Sequence, residues 1–187
     1  MNKKCYIVGA GDNSGTNFTK KDNEFVIAVD GGLQILQYIN IIPDIIMGDF
    51  DSLGYVPVGE NVIRHEIKKD DTDTMLAVKY AIENGYNDIE IYGGTGGRID
   101  HTIANFQTML YASQKGANIK MIDATNEYVV ITDTCIELMA PNGKGLAVFA
   151  MGGIASGVNI RNAEYMAENI TLKSDNPMGV SNSFIGK

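Results

Sequence analysis

Cysteine, histidine and tryptophan are scarce in this sequence: its 187 residues contain two cysteines, two histidines and no tryptophan. Cys5 and Cys135 show no CxxC spacing, so no disulfide framework is expected and a reducing cytoplasm fits best. With only His65 and His101, no histidine pair of metal-ligand spacing and no Ser/His/Asp nucleophile set can be read, and each histidine reads first as structural or solvent-exposed. No apolar run approaches the roughly 18 residues of a membrane helix, the start MNKKCYIVGAG lacks a secretory h-region, and there is no low-complexity stretch or solenoid repeat. Positive charge is also short, with 15 Lys and Arg against 23 Asp and Glu for a net charge of -8. That balance argues against nucleic acid or an anionic membrane as partner, and a polyanionic ligand would need a cation beside it.

What is present is ordinary globular composition, 44% hydrophobic and 20% charged. Short apolar runs alternate with helical patterns up to about residue 122. CYIV (5–8), FVIAV (25–29), DIIM (44–47), NVIRHEI (61–67), DIEIY (88–92) and NIKMI (118–122) read as strands, several apolar throughout, as in strands covered on both faces. DTDTMLAVKYAIENG offers Asp71 or Thr72 as N-cap, Met75, Leu76, Tyr80 and Ala81 at helical spacing, and Gly85 as the stop. IDHTIANFQTMLYASQKG predicts a second helix, with Ile99, Ile103, Phe106, Met109 and Leu110 on the apolar face and Gly116 closing it. Strand, helix, strand implies a parallel sheet with right-handed crossovers. Beyond residue 123 the segments EYVVIT, CIELM, LAVFAM, SGVNI and NITLK are short and closely punctuated by turns, which implies antiparallel pairing. The expected architecture is an α/β domain over 1–123 followed by an all-β domain over 124–187.

The carboxylates follow the strands. Asp30 ends strand 25–29, Asp49 and Asp51 follow strand 45–47, and Asp70, Asp71 and Asp73 lie between strand 62–67 and its helix. In a parallel sheet these positions share one edge, where ligands bind in open α/β folds. Two carboxylates about 4 Å apart repel by roughly 4 kcal/mol at an effective dielectric near 20, so such crowding asks for protonation, separation or a cation. In an extended segment Asp49 and Asp51 point the same way, and oxygen donors favour Mg²⁺ or Ca²⁺ over zinc. A turn capped by Asp51 and Ser52 is the plainer alternative.

EIYGGTGGRIDH places Gly93, Gly94, Gly96 and Gly97 between a strand and a helix, where a backbone can approach a phosphate and the helix start attracts anions. The spacing is neither GxGxxG nor a P-loop. Arg98 at the helix start suits phosphate oxygens. GAGDNSG (9–15) is a second loop at the same edge, which a simple connection explains equally well.

Five motifs in order, DGG (30–32), PDIIMGDFDS (43–52), KKDDTDTMLAV (68–78), GGTGGRIDH (93–101) and GVSNSF (179–184), together resemble the thiamine pyrophosphokinase family. The resemblance implies an N-terminal α/β nucleotide-binding domain, a C-terminal β-sandwich and a homodimer with thiamine held near the subunit interface. It implies transfer of the pyrophosphoryl group of ATP to thiamine, giving thiamine diphosphate and AMP, with Mg²⁺. By the same resemblance Asp49, Asp51 and Asp73 are the Mg²⁺ ligands. Gly31, Gly32, Thr72, Gly93, Gly94 and His101 lie along the nucleotide, and Arg98 binds the transferred group. Asp30 and Asp100 orient or deprotonate the hydroxyl, and Asp100, Ser181 and Asn182 contact thiamine. The sequence given stops at SFIGK, where the family pattern usually continues for one or two strands. Two other readings compete: a haloacid-dehalogenase-like phosphatase with Asp49 as nucleophile, and a non-catalytic nucleotide or thiamine sensor.

Overall fold

A computed structural model of the chain describes residues 3–66 and 70–186. Its contacts divide into one compact unit up to Thr134 and a second from Cys135.

The first unit is built on a seven-stranded sheet. In chain order its elements are β1 (Lys3–Val8), β2 (Phe25–Val29), α1 (Gly32–Tyr38), β3 (Ile45–Gly48), β4 (Val62–Arg64), α2 (Asp73–Glu83), β5 (Tyr86–Tyr92), α3 (Ile99–Gln114), β6 (Asn118–Ile122) and β7 (Glu127–Val130). The strand order is β4-β3-β2-β1-β5-β6-β7. All neighbours are parallel except β7, which pairs antiparallel with β6.

The continuous apolar runs are explained by burial on both faces. Cys5 and Ile7 alternate with Tyr6 and Val8, and each pair enters a different core. One core joins Ile7, Ile27, Ile89, Ile91, Ile119 and Met121 to the α2 and α3 residues Ala77, Val78, Ala81, Met109 and Ala112. The other joins Val8, Val26, Ala28 and Tyr92 to Leu33 and Leu36 of α1. Each large aliphatic side chain so buried stabilises the fold by about 1.5–3 kcal/mol. Cys5 is part of this packing, and burial pushes its thiol far above the usual range, so it acts as a small hydrophobe.

The helices start and stop for local reasons. Thr72 caps α2, its hydroxyl accepting from the Met75 N–H at 3.2 Å. Gly85 and Gly116 follow α2 and α3 with φ of 80° and 82°, the left-handed turn that ends a helix. No described helix is long and apolar enough to cross a membrane.

The face of α3 differs from the expected one. Ile99 and Ile103 are 72% and 55% exposed, while Asn105, Thr108, Met109, Ala112 and Ser113 are buried. Hydrogen bonding makes the polar members of that face tolerable: Thr108 returns its hydroxyl to the Ala104 carbonyl and Ser113 bonds Thr132. EYVV, expected to begin the all-β part, instead closes the large sheet as β7, because a short turn folds it back along β6. The strand read over 61–67 narrows to β4, and its last residue, Ile67, lies outside the described residues, as do Lys68 and Lys69 of the KKDDTDT motif.

The second unit holds strands and no helix among its described residues: β8 (Gly145–Leu146), β9 (Ile154–Ile160), β10 (Ala167–Lys173) and β11 (Asn182–Ser183). They pair as two antiparallel ladders, β9 with β10 and β8 with β11. CIELM, read as a strand, carries no regular structure, and only the first residue of LAVFAM lies in a strand.

Candidate active site

The sheet reverses its winding between β1 and β5: from β1 the order runs through β2, β3 and β4 to one side, while β5 and β6 lie on the other. Such a reversal opens a crevice at the carboxyl ends of the strands. The two glycine loops leave from these strands and are stitched together. Gly9 N–H donates to Tyr92 O at 2.8 Å, Gly11 N–H to Gly93 O at 2.9 Å and Asp12 N–H to Thr95 O at 2.6 Å. The Asn13 amide donates back to the Gly9 and Gly11 carbonyls. The 9–15 loop is therefore part of this edge, not a passing connection.

Close approach fixes two of the glycines. A Cβ on Gly94 would stand 2.4 Å from the Met121 sulfur, and one on Gly32 would stand 1.9 Å from the Val8 carbonyl oxygen. Both are required by packing whatever else they do. Gly31 is the N-cap of the seven-residue α1. Gly93 is buried, and its carbonyl is engaged by Gly11.

Arg98 is the N-cap of α3, with no side-chain capping bond, and its guanidinium grips Asp100 through Nε at 3.2 Å and Nη2 at 2.5 Å. Both side chains are largely solvent-exposed. Hydrogen bonding from Arg98 holds the Asp100 carboxyl below its usual range, which makes Asp100 a weak base and a good orienting group while this pair persists. A guanidinium has five N–H donors, so donors remain for phosphate oxygens. His101 is exposed one position on, its backbone N–H bonded to Asp100.

The GDFD turn is braced from β2. Asp30 sits at φ 46° and its Oδ1 accepts from the Phe50 N–H at 3.2 Å, while Phe50 itself is at φ 64° and buried. A phenylalanine in the left-handed region costs about 1–2 kcal/mol, offset here by its burial. The turn leaves Asp49 half-buried and Asp51 exposed, with Asp49 Oδ1 accepting from the Asp51 N–H at 3.1 Å.

The expected crowding of five or six carboxylates is not found among the described residues. Asp71 pairs with Lys79 at 2.6 Å and Asp73 bonds His65 Nδ1 at 3.0 Å. Asp70 is exposed. Among the described residues no three or more His, Cys, Asp or Glu stand close enough together to hold a metal ion. Asp49 and Asp51 offer hard oxygen donors two positions apart, the donor type that Mg²⁺ takes alongside substrate phosphate and water.

In the second unit Ser181 is exposed at φ 60°, but Asn182 is buried. The Asn182 amide bridges Tyr165, accepting from its N–H at 2.9 Å and donating to its carbonyl at 2.8 Å, and also accepts from Ser183 N–H. It braces the chain. An open groove of about 380 Å³ is lined within this unit by Tyr165, Met166, Ile170, Met178, Val180 and Asn182, among others.

His65, which reads as structural or exposed, is half-buried and bonds Asp73, in keeping with a structural place. Two groups at the first unit's edge escape sequence reasoning. Asn105, buried in α3, donates to the Gly94 carbonyl at 2.8 Å. Asp123, just after β6, accepts from Thr95 Oγ1 at 3.2 Å and Tyr128 OH at 2.9 Å, and from the Thr125 and Asn126 N–H groups. Burial pushes its carboxyl up, but these hydrogen bonds outweigh that and leave it at about 2. The one available signal was an asparagine within the buried stretch of a helix.

Comparison with known proteins points to one family. The family described as thiamin pyrophosphokinase, catalytic domain, matches residues 17–121, more than half of the chain. The thiamine pyrophosphokinase of Bacillus subtilis (strain 168) is 34% identical over 106 residues, covering 54% of this chain and 50% of that protein. Thiamin pyrophosphokinase 1 of Caenorhabditis elegans is 26% identical over 130 residues, covering 64% of this chain and 50% of that protein. The chain thus spans about half the length of the curated relatives it matches. In fold it resembles the crystal structure of the B. subtilis enzyme, with a TM-score of 0.77 at 24% identity over 98% of this chain and 91% of that one. A second likeness, to the Geobacillus thermodenitrificans structure, has a TM-score of 0.73 at 22% identity over 98% of this chain and 89% of that one. By the match to its catalytic domain, the chain belongs to the thiamin pyrophosphokinase family.

Proposed function

We propose that this protein transfers the pyrophosphoryl group of ATP to the hydroxyl of thiamine, releasing AMP and thiamine diphosphate. The observation that carries the reading is the pairing of the GGTGGR loop with the 9–15 loop at the sheet's winding reversal, with Arg98 at the start of the 16-residue α3. Family membership supplies the substrates.

The reaction needs the thiamine oxygen in line with the β-phosphorus and the growing negative charge neutralised. Arg98, exposed beside the glycine loop, binds the transferred group. The α3 N-terminus adds a partial positive charge. Gly31, Gly32, Thr72, Gly93, Gly94 and His101 lie along the nucleotide. Asp49 and Asp51, with Asp73 close in sequence to the Thr72 cap, would hold Mg²⁺, which supplies charge neutralisation on the phosphates when bound. Asp30 is occupied in bracing the GDFD turn, and this favours Asp100 as the group that orients the hydroxyl.

The division into an ATP-binding part and a thiamine-binding β-sandwich, with the boundary moved from 123 to the break between Thr134 and Cys135, is the second element of the reading. Met178, Val180 and Asn182 of the NPMGVSNSF segment line the groove, which suits an aromatic cation near the interface of a homodimer in the cytoplasm. Ser181 offers the exposed hydroxyl there, with Asn182 as its support. Among the described residues from Cys135 onward, eleven large hydrophobic side chains are exposed in the single chain, consistent with a partner copy covering some of them.

The test is nucleotide separation after incubation with ATP, Mg²⁺ and thiamine. Thiamine-dependent AMP is expected. Phosphate release without thiamine would instead mark a phosphatase, and no turnover a sensor.

A further inference from the structure

The glycine loop is gripped at two successive residues by side chains to which the proposed reaction gives no task. The Gly94 carbonyl accepts from the Asn105 amide at 2.8 Å, and the Thr95 hydroxyl donates to Asp123 at 3.2 Å. The two grips come from different elements, α3 and the end of β6. Asn105 is 6% exposed, and a buried amide costs roughly 1–3 kcal/mol unless it is bonded; a leucine would pack there without that cost. Its bond to Gly94 is what makes it acceptable. Asp123 is the counterpart on the other flank. Its Oδ1 closes the turn into β7 through Thr125 and Asn126, while Oδ2 is given to Thr95 and Tyr128. Met121 blocks movement of Gly94 toward β6, and the Gly11 and Asp12 N–H groups hold Gly93 and Thr95 from the neighbouring loop.

We propose that Asn105 and Asp123 are positioning residues that preorganise the 93–97 loop for the nucleotide, so that ordering the loop is not charged against ATP binding. The inference rests on assigning this loop to ATP. Neither residue touches the reacting atoms; both act through the loop backbone and Thr95.

Asn105→Leu and Thr95→Val each remove one grip while keeping the number and branching of side-chain heavy atoms. Titration calorimetry of Mg²⁺-ATP against each variant is expected to show Kd raised about tenfold, in line with one lost hydrogen bond. The double variant should fall short of the product of the two effects, because both grips act on one loop. In turnover assays the loss should appear in KM for ATP more than in kcat, with Tm recorded alongside. A purely structural role would lower Tm and leave the ATP Kd within twofold, and that result overturns the proposal. If Asn105→Leu fails to fold, Thr95→Val, on a half-buried loop position, decides by itself. Wild-type protein that binds no ATP would overturn the functional reading and this inference together. Binding by wild type with unchanged variants would overturn this inference alone.

Discussion

The two compact units meet the demand for buried apolar surface in opposite ways. The first covers both faces of its central strands and fully buries large side chains such as Ile7, Ile27, Ile89 and Met109. The second, among its described residues, buries only Ala150, Ala163, Leu172 and Asn182 and leaves Phe149, Ile154, Tyr165 and Met166 exposed. A segment of that size with so little core is marginal by itself. The first unit therefore has the packing to hold its glycine loops in place, and the second keeps apolar surface exposed.

The sharpest contrast comes from the same substitution in each unit. Met109→Ala should cost about 2–5 kcal/mol in chemical denaturation, whereas Met166→Ala, at a 73% exposed position, should cost under about 0.5 kcal/mol in dilute protein. Equal costs would erase the distinction. Within α3, Ile99→Ser should resemble Met166→Ala and not Met109→Ala, because Ile99 lies on the solvent face.

Chemistry and stability should separate at the first unit's edge. Asp51→Asn is expected to lower turnover by about 100-fold or more while shifting Tm by less than about 2 °C, since Asp51 is exposed. Near-normal rates at saturating Mg²⁺ would remove Asp51 from the metal-binding role.

For the second unit, Met166→Glu should weaken self-association at least about tenfold in sedimentation equilibrium. Unchanged association would mean that this groove is not where copies meet.

The smallest effect concerns acid. Hydrogen bonding lowers the Asp123 carboxyl from 3.8 to about 2 in the folded chain. Its contribution is complete above the ordinary value and is lost as pH falls toward about 2. The stability gap between wild type and Asp123→Asn, read from urea midpoints, should be widest above pH 4 and close near pH 2. A gap that is constant with pH would show that the carboxylate charge is not what these bonds stabilise.

These contrasts also mark how much was legible beforehand. CYIV and FVIAV announced doubly covered strands because neither face offers a polar residue. The start of α2 was legible because Asp71 and Thr72 both offer a capping oxygen there, and the fold uses Thr72. The face of α3 was hidden because Asn105, Thr108 and Ser113 are buried through specific hydrogen bonds that no periodicity encodes. EYVV was placed in the wrong part because turn spacing cannot distinguish a hairpin returning to the large sheet from the first strand of a new one. The carboxylate crowding was overestimated because Lys79 and His65, which take up Asp71 and Asp73, reach them only once the chain is folded. The 9–15 loop looked like a plain connection because its role arises from hydrogen bonds to residues more than 80 positions away.

The central claim is that a pyrophosphoryl group crosses intact from ATP to thiamine at the edge built by β1, β3 and β5. Incubation with ATP radiolabelled at the β-phosphorus tests it most directly. The account predicts label in thiamine diphosphate and none in the nucleotide product, AMP. Label recovered in ADP, or as free phosphate without any in a thiamine ester, would contradict it.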